Sequence, residues 1–575
     1  MTDPTVSSVF LRVLKKHGIR HIFGIPTIQI GMMQDGFGRD PYFRFFTTRH
    51  EESAAHMAHG IAKTTDEMAA CFATVGPGIT NLVPGVAAAA RDHLPMLTIT
   101  SNNHLRLIEP LRDYLQTIDQ LALFAPITKW GAGLRQAERT VEVVERAIYR
   151  SRFGSPGPVQ VDVPFDLHTE SCSADPDGPP KLEIPRPVPS SSELAAVVDA
   201  MAAARRPLLV AGGGVARSGA TAEFRRLVAA TGFAAATTIN GYGALEPGCP
   251  TEVGSRGFFG GNGLVQACRE ADLIVSFGCR FSLWMPVNKP LYPPVPGQKI
   301  IQVDIDPAQL GAIAPATMGL TGDARETLRA LLDLIGKRRF DVDHGWLSTL
   351  LEARNRYYAD IARVADEVFL PGTDTLNEAA IARAVVAELP DDAIVTIDGG
   401  QSMEWSMTWF RPKDPHHFMY NPGMGHLGSG LPAAIAAKIA QPEKTVACLT
   451  GDGAFGMTIQ ELETARRYGI PVIVVVYNDS AWGMYERPNR AIFHNENFGT
   501  RLGQSDYAAI ARGFGCDGVR VRGLAELADA VRAARERNTV TVIDVATGYT
   551  PHPMDEVWRP VNTEGARLRK VEVSG

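Results

Sequence analysis

The sequence lacks the features that mark secreted, zinc-finger and membrane proteins. Its seven cysteines are scattered through 575 residues, and none of them forms a Cys-x-x-Cys pair. Neither a disulfide framework nor a zinc site is therefore indicated by the cysteines. No apolar run approaches the roughly 18 residues of a membrane span. The helical pattern from Val6 to Gly18 is amphipathic, without the continuous apolar core of a signal peptide. We expect a cytoplasmic protein.

An excess of one charge is also missing. The 57 Lys and Arg residues nearly balance the 63 Asp and Glu residues, for a net charge of -6. Nucleic-acid binding usually needs a basic face, so small molecules are the expected partners, with neither nucleic acid nor membrane. With 45% hydrophobic and 21% charged residues, the composition is ordinary for a globular protein. The length exceeds the roughly 250–300 residues of a single core and predicts several domains.

Short β-rich runs alternate with helical patterns in three blocks, which predicts an α/β fold of three domains. Each domain is expected to be a mostly parallel sheet flanked by helices. Proline-rich sequence between the first two blocks cannot hold a helix or a central strand and predicts a linker. The predicted segments are domain one (1–170), the linker (171–190), the central domain (191–340), a helical connector (341–373), the third domain (374–550) and a C-terminal tail (551–575).

The predicted strands are short apolar runs within these blocks. They lie at His21 to Gly24, Arg44 to Thr48, Ala70 to Val75, Met96 to Thr100, Val159 to Val163, Pro207 to Ala211, Ala234 to Thr238, Leu273 to Gly278, Ile300 to Asp304, Ile394 to Ile397, Val446 to Leu449, Val472 to Val476 and Thr541 to Val545.

Two acidic motifs follow neighbouring apolar runs in the third block. The first is Gly451-Asp452-Gly453-Ala454-Phe455, and the second is Tyr477-Asn478-Asp479-Ser480-Ala481, with 24 residues between Gly453 and Asn478. Both acids are thus predicted to lie at the carboxyl ends of strands. Open parallel sheets bind their ligands at this edge. Two carboxylates beside a glycine turn suit a hard cation that carries phosphate. The motifs predict a Mg²⁺-diphosphate site.

Together these motifs resemble the cofactor signature of thiamine-diphosphate enzymes, specifically the acetolactate synthase, pyruvate decarboxylase and benzaldehyde lyase superfamily. Further segments stand in the order that this family shows, and the resemblance covers nearly the whole chain. They are Phe23-Gly24-Ile25-Pro26, Arg49-His50-Glu51, Gly76-Pro77-Gly78-Ile79-Thr80-Asn81, Ala125-Pro126-Ile127-Thr128-Lys129, Val303-Asp304-Ile305-Asp306-Pro307 and Gly425-His426-Leu427-Gly428-Ser429-Gly430.

The resemblance implies pyrimidine-binding, central and diphosphate-binding domains in this order, with thiamine diphosphate and Mg²⁺ as cofactors. It implies that Asp452, the side chain of Asp479 and the carbonyl of Ala481 bind the metal. Position 479 is usually Asn in this family, so the site keeps an oxygen ligand and gains a negative charge. The other cofactor contacts that it implies are Gly400, Gln401, Ser402, Leu427, Gly451, Gly453, Ala454, Trp482, Gly483 and Met484.

The resemblance implies three catalytic residues, Glu51, Gln29 and Gln116, and one residue, Leu427, that shapes the cofactor. Glu51 corresponds to the glutamate that shares a proton with the aminopyrimidine ring of the cofactor and so promotes the C2 ylid. Leu427 stands where the family places the apolar residue that bends the cofactor. Gln29 and Gln116 fall near the reacting carbonyl. Glutamine cannot shuttle protons near neutral pH as histidine can, so the substrate stays open.

The implied activity is decarboxylation of a 2-keto acid and ligation of the resulting enamine to a second carbonyl. The alternative is a lyase that cleaves a 2-hydroxy ketone or 2-hydroxyacyl-CoA by the reverse chemistry. The family builds its active sites across a dimer interface, so a homodimer or homotetramer with shared sites is implied. A non-catalytic regulator that keeps the fold is a further alternative, against which intact Glu51 and Asp452 argue.

Several other motifs have competing interpretations. Gly423-Met424-Gly425-His426-Leu427-Gly428 matches the dinucleotide pattern, but Asn421-Pro422 blocks the strand that a nicotinamide site needs. His50-Glu51 together with His56 resembles a zinc-protease motif, but that motif requires histidine where Ala54 stands, so zinc is not expected there. Gly212-Gly213-Gly214 permits FAD or ADP in the central domain, although a tight turn is the favoured interpretation and FAD is not supported.

Overall fold

The structure, a computed structural model, describes residues 4–178, 180–282, 284–286, 295–486 and 499–554. Most of the predicted tail, 551–575, lies outside the described residues. The chain forms two compact units. The first unit comprises Met1–Pro185, Ala384–Met403 and His416–Gly548, and the second comprises Arg186–Arg383, Glu404–Pro415 and Tyr549–Gly575. Among the described residues, no helix has the length and apolar character that crossing a membrane requires.

The first sheet of the first unit has six parallel strands in the order β2-β1-β3-β4-β6-β5. Its strands are β1 (His21–Gly24), β2 (Arg44–Thr47), β3 (Ala69–Ala73), β4 (Met96–Asn102), β5 (Trp130–Gly133) and β6 (Pro158–Pro164). Its helices are α1 (Val6–Lys16), α2 (Gly31–Arg39), α3 (Glu51–Thr65), α4 (Pro77–Asp92), α5 (Leu105–Ile108), α6 (Gln120–Phe124) and α7 (Thr140–Arg152).

The sheet of the second unit also has six strands, in the order β12-β11-β10-β7-β8-β9. Its strands are β7 (Pro207–Ala211), β8 (Ala234–Thr237), β9 (Glu252–Gly254), β10 (Leu273–Phe277), β11 (Lys299–Asp304) and β12 (Met318–Thr321). Its helices are α8 (Ser191–Ala203), α9 (Gly213–Arg217), α10 (Thr221–Thr231), α11 (Asn262–Glu270), α12 (Ala324–Ile335) and α13 (His344–Asp366). A short strand, β13 (Leu376–Asn377), and helix α14 (Glu378–Glu388) follow.

The second sheet of the first unit pairs its strands in parallel, in the order β19-β17-β16-β14-β15, with β18 also against β19. Its strands are β14 (Ile394–Asp398), β15 (Phe418–Met419), β16 (Val446–Gly451), β17 (Ile473–Asn478), β18 (Asp517–Val521) and β19 (Thr541–Gly548). The helices that follow α14 are α15 (Gln401–Trp409), α16 (Gly430–Ala440), α17 (Asp452–Thr458), α18 (Glu461–Arg467), α19 (Tyr507–Gly513) and α20 (Leu524–Arg537).

The predicted α/β class with mostly parallel sheets is confirmed. Each predicted strand coincides with an observed strand to within three residues at either end. The strands that the apolar pattern missed include β5, β12 and β18, which carry partly exposed or glycine-containing sequences. These strands lack the continuous apolar run of a strand that is buried on both faces, and the prediction of strands depends on such runs.

Helices α3 and α16 share one hydrophobic core within the first unit. Gly60 of α3 lies against α16 so closely that an added Cβ would stand 2.7 Å from the Cβ of Ala436. Only glycine allows this approach of the two helices. The contact joins the helix that begins at Glu51 to the helix that follows Leu427, and it therefore positions two predicted site segments.

Candidate active site

Three turns meet at the carboxyl edge of the second sheet of the first unit. They follow the adjacent strands β14, β16 and β17, in which Asp398 pairs with Thr450 and Gly451 pairs with Tyr477. The strand ends are therefore level, and the turns after them lie side by side. The structure thus brings together the predicted residues Gly400, Gln401, Ser402, Gly451, Asp452, Gly453, Asp479, Trp482, Gly483 and Met484.

Close contacts at glycines show how tightly these turns pack. An added Cβ at Gly483 would stand 2.5 Å from both the Oδ2 of Asp479 and the Oε1 of Gln401. At Gly453 it would meet the ring of Trp482 at 2.7 Å, and at Gly400 the side chain of Met484 at 2.8 Å. Larger residues would displace these groups, so the three turns form one cradle.

The two acidic motifs are joined directly. The carboxylate of Asp452 accepts hydrogen bonds from the backbone nitrogens of Gly453 and Ser480, and it also interacts with the carboxyl of Asp479. The carboxylate of Asp479 accepts from the backbone nitrogen of Ala481 at 3.0 Å. The hydroxyl of Tyr507 donates to the backbone carbonyl of Asp452 at 3.3 Å. Both acids are therefore held in place by backbone groups.

The electrostatics of this pair favour a bound cation. Burial, together with the charge of Asp479, raises the pKa of Asp452 to about 7. Burial also raises the pKa of Asp479. Two buried carboxyls that face each other repel when both are ionised, and a divalent cation between them relieves this repulsion. Their oxygen atoms are the ligands that Mg²⁺ takes, so these residues fit the implied metal.

The buried side chain of Gln401 is a second indication that the cradle binds a ligand. Both polar atoms of its buried amide group have no hydrogen-bond partner among the described residues. Buried amides are ordinarily hydrogen-bonded, because an unpaired one loses its bonds to water without compensation. A polar ligand in the cradle would supply these partners, as a diphosphate or a pyrimidine can.

Asp398 was not among the predicted site residues, although it supports the same cradle. Its carboxylate accepts from the backbone nitrogens of Gly399 and Gly430, each at 2.7 Å. Burial raises its pKa to about 7. Asp398 thereby ties the turn after β14 to the start of α16. A carboxylate at the end of a predicted strand was the signal that could have identified it, as it did for Asp452.

Glu51 is the first residue of α3, and its side chain is buried. The Nδ2 of Asn81 donates to its Oε2 at 3.0 Å. Its other oxygen, Oε1, would stand only 3.0 Å from a Cβ added at Gly78. The segment from Gly76 to Asn81 therefore holds the carboxylate from two sides. The sequence predicted that this segment belongs to the site but gave no role to Asn81.

Glu461 positions the start of α3 and was not predicted. It is fully buried, and its carboxylate accepts from the backbone nitrogens of Arg49 and His50 at 3.0 and 3.1 Å. The hydroxyl of Thr464 donates to it at 2.7 Å. Burial raises its pKa to about 7. Nothing in the local sequence distinguishes Glu461 from an ordinary helix-start acid.

Gln29 lies in a short polar cluster at the carboxyl edge of the first sheet. Its Oε1 accepts from the hydroxyls of Thr27 and Thr74, the latter at 3.0 Å. The neighbouring Ile28 is 81% exposed. The Gln29 amide is therefore oriented by two hydroxyls, while the adjacent apolar side chain faces away from the core of the chain.

Gln116 sits in an exposed loop and has a positive φ of 62°. Its carbonyl oxygen would stand 2.6 Å from a Cβ added at Gly76, so the two backbones lie in close contact. Gln120 anchors the loop, because its amide donates to the buried carboxylate of Asp162 at 2.7 Å. Gln116 is thus placed beside the Gly76 to Asn81 segment that holds Glu51.

Glu51 is not joined to the acidic cradle within one chain. Among the described residues, no hydrogen bond or ion pair connects Glu51 with Asp452 or Asp479. Leu427 is half-buried in the turn before α16, and Ala454 is buried in the first turns of α17. The predicted residues therefore form two groups, one at the edge of each sheet of the first unit.

Comparisons with known families agree with this arrangement. Residues 4–123 match the N-terminal TPP binding domain of thiamine pyrophosphate enzymes, and residues 194–331 match their central domain. Residues 398–545 match their C-terminal TPP binding domain. The three matches stand in the order that the sequence implied.

Curated relatives cover nearly the full chain. The probable acetolactate synthase large subunit of Methanocaldococcus jannaschii is 31% identical, over 94% of this chain and 91% of the relative. The acetolactate synthase large subunit of Corynebacterium glutamicum is 30% identical, over 95% and 87%. The sulfoacetaldehyde acetyltransferase of Rhodobacter capsulatus is 32% identical, over 98% of both chains. The chain is a thiamine-diphosphate-dependent enzyme of the acetolactate synthase-like thiamine pyrophosphate enzyme family.

Proposed function

We propose that the enzyme decarboxylates a 2-keto acid and ligates the remaining fragment to a second carbonyl compound. The observation that carries this proposal is the acidic cradle of Asp452 and Asp479, together with the separately fixed carboxylate of Glu51. When bound, thiamine diphosphate supplies a carbon nucleophile and an electron sink for the bond that breaks. The full-length similarity to acetolactate synthases supports a 2-keto acid donor.

In this proposal the cradle binds Mg²⁺ and the diphosphate. Asp452, Asp479 and the carbonyl of Ala481 would hold the metal, because all three offer the oxygen atoms that Mg²⁺ prefers. The amide of Gln401 lies in the adjoining turn and is available to polar cofactor atoms. The hydroxyl of Ser402 donates to the backbone carbonyl of Asp398, so it would meet the cofactor as an acceptor. Leu427 would support the cofactor from the turn before α16.

Glu51 would exchange a proton with the pyrimidine ring of the cofactor. A general acid-base residue needs a fixed position, and the amide of Asn81 fixes this carboxylate at 3.0 Å. The buried setting excludes bulk water from the exchange. Glu461 keeps Glu51 in place by holding the two backbone nitrogens that precede it.

We also propose that two protomers share each active site, in a homodimer or homotetramer. Within one chain, Glu51 makes no hydrogen bond or ion pair with the described cradle residues. Apolar side chains near Gln29 and Gln116 are exposed, including Ile28 at 81% and Leu115 at 75%. Exposed apolar side chains of this size, where they form a contiguous patch, support the proposal of an interface. If the cradle of a partner protomer faced Glu51, that protomer would cover these exposed apolar side chains.

Gln29 and Gln116 would orient the substrate carbonyl at this shared site. The two hydroxyls on the Oε1 of Gln29 leave its amide nitrogen available as a donor. Neither glutamine titrates, so both would bind and orient the substrate without transferring protons.

A substrate screen with the purified holoenzyme tests the proposal. The enzyme would be incubated with a panel of 2-keto acids, singly and in pairs with aldehydes. Released CO₂ and product mass would be measured. We expect CO₂ to be released together with a 2-hydroxy ketone or an acetohydroxy acid. Aldehyde release from 2-hydroxy ketones or 2-hydroxyacyl-CoA without CO₂ would instead identify the reverse lyase chemistry. A visible spectrum of the same sample shows whether flavin is bound.

A further inference from the structure

A second cluster of ligating side chains lies within the first unit, next in sequence to Glu51 and Leu427. It consists of Glu52, His56 and His426, whose ligating atoms all lie within 4.8 Å of one another. The Oε1 of Glu52 is 3.7 Å from the Nε2 of His56 and 3.6 Å from the Nδ1 of His426. The two imidazole rings are 5.1 Å apart between centroids.

Tertiary packing creates this cluster. Glu52 and His56 are four residues apart on α3, so their side chains share one helix face. His426 comes from the turn before α16, which packs against α3 at Gly60. Three side chains from two distant parts of the chain therefore converge on one point.

The polar atoms at this point lack hydrogen-bond partners among the described residues. Among the described residues, no hydrogen bond reaches Oε1 of Glu52, Nδ1 of His426 or either ring nitrogen of His56, and all four atoms are buried. The side chain of His56 is fully buried, and burial lowers its pKa well below the usual value, which leaves the ring neutral. Buried polar groups ordinarily have partners, so four such atoms at one point indicate a missing ligand.

We propose that Glu52, His56 and His426 bind one divalent transition-metal ion of the zinc type, separate from Mg²⁺. Two neutral imidazoles and one carboxylate form a donor set that suits Zn²⁺ and related ions, whereas Mg²⁺ prefers oxygen ligands alone. Tetrahedral ligands at about 2.0–2.1 Å from the metal are roughly 3.3 Å apart. The observed 3.6 and 3.7 Å separations need only small side-chain shifts to reach this spacing.

The bound ion would tie the first turn of α3 to the turn that carries Leu427. These two segments flank predicted cofactor residues, since Glu51 precedes Glu52 and Leu427 follows His426. Three protein ligands leave a fourth coordination position, which water can take. The site therefore fixes the relative position of two parts of the active region without taking part in the reaction.

Cobalt titration of the full-length enzyme tests this site. Thiamine diphosphate and Mg²⁺ would be kept in excess so that the cradle is filled, and Co²⁺ would be added as a spectroscopic probe. We expect one equivalent of Co²⁺ per chain to give the intense visible bands of tetrahedral coordination. Added Zn²⁺ would remove these bands by displacement. A wild-type protein without such bands at saturation would overturn the proposal.

Two conservative variants identify the ligands. Glu52→Gln and His426→Gln keep side-chain size and remove one ligand each, and we expect each to weaken Co²⁺ binding by at least about 100-fold. His344→Gln, which changes an exposed histidine of the second unit, is the matched control and should bind as the wild type does. Circular dichroism would verify that each variant is folded. Binding that is equal in all folded variants would overturn the assignment.

Asp452→Asn separates this site from the cradle. If Co²⁺ binds at Glu52, His56 and His426, the bands persist in this variant. Bands that disappear in Asp452→Asn but survive in Glu52→Gln would place the ion in the cradle and contradict the proposal.

Discussion

The backbone nitrogen of His50 donates a hydrogen bond to the Oε1 of Glu461 over 3.1 Å. This bond connects the start of α18 to the residue directly before Glu51. A residue at the start of α18 thus helps to fix the position of the predicted catalytic carboxylate at the start of α3.

We expect Glu461→Ala to destabilise the first unit by about 1–3 kcal/mol, since it leaves two part-buried backbone donors without their acceptor. Turnover should fall as well, because the start of α3 loses its anchor. Glu461→Gln retains an acceptor oxygen and should recover a large part of both losses. Urea denaturation and kcat measurements check this, and equal effects of the two substitutions would contradict it.

We expect Glu51→Gln to reduce kcat by roughly 100- to 10,000-fold, the usual contribution of a positioned acid-base residue. Folding and thermal stability should change little, because the amide can still accept from Asn81. Glu443→Gln, an exposed glutamate of the same unit, is the matched control. Turnover of every active substrate at the wild-type rate in Glu51→Gln would refute the assigned role.

The raised pKa of Asp452, about 7, predicts how metal-free stability depends on pH. The folded state holds this proton up to about pH 7, while the unfolded chain releases it near 4. The stability gain is therefore complete below about pH 4 and lost as the pH rises to about 7. Urea denaturation with a chelator should show this decline. Asp479→Asn should reduce it, because the facing charge is removed.

The same proton predicts a pH-dependent affinity for Mg²⁺. Metal binding requires the ionised carboxylate, so binding must displace the proton on Asp452. We expect Mg²⁺ affinity to weaken by up to about tenfold per pH unit below pH 7. Titrations followed by intrinsic fluorescence, with thiamine diphosphate present, can measure this. A Mg²⁺ affinity that does not change with pH over this range would show that metal binding displaces no proton from Asp452.

Gly483→Ala should weaken cofactor binding strongly. The added methyl group would stand 2.5 Å from Asp479 and from Gln401, and both side chains would have to move. Gly456→Ala in the neighbouring α17 is the control, because its Cβ would meet no described atom within 4 Å. Calorimetric titration with thiamine diphosphate and Mg²⁺ compares the two variants. Similar affinities would mean that the cradle is not the binding site.

Much of the fold follows from local sequence. Strands β7 and β17 contain continuous apolar runs, and burial on both faces of a parallel sheet requires such runs. The cradle also has a local signal, because carboxylates and glycines stand at or directly after the ends of β14, β16 and β17. Edge strands such as β18 escaped prediction because an exposed strand needs no apolar run.

The sequence by itself therefore determined the α/β class, the family and the cradle at the ends of β16 and β17. Tertiary structure alone decided that Glu461 anchors His50 and that His426 joins Glu52 and His56. The apolar pattern of a strand and the residues at its end can be read from consecutive positions of the sequence. Contacts between distant segments depend on how α3 packs against α16, and no local pattern encodes that packing.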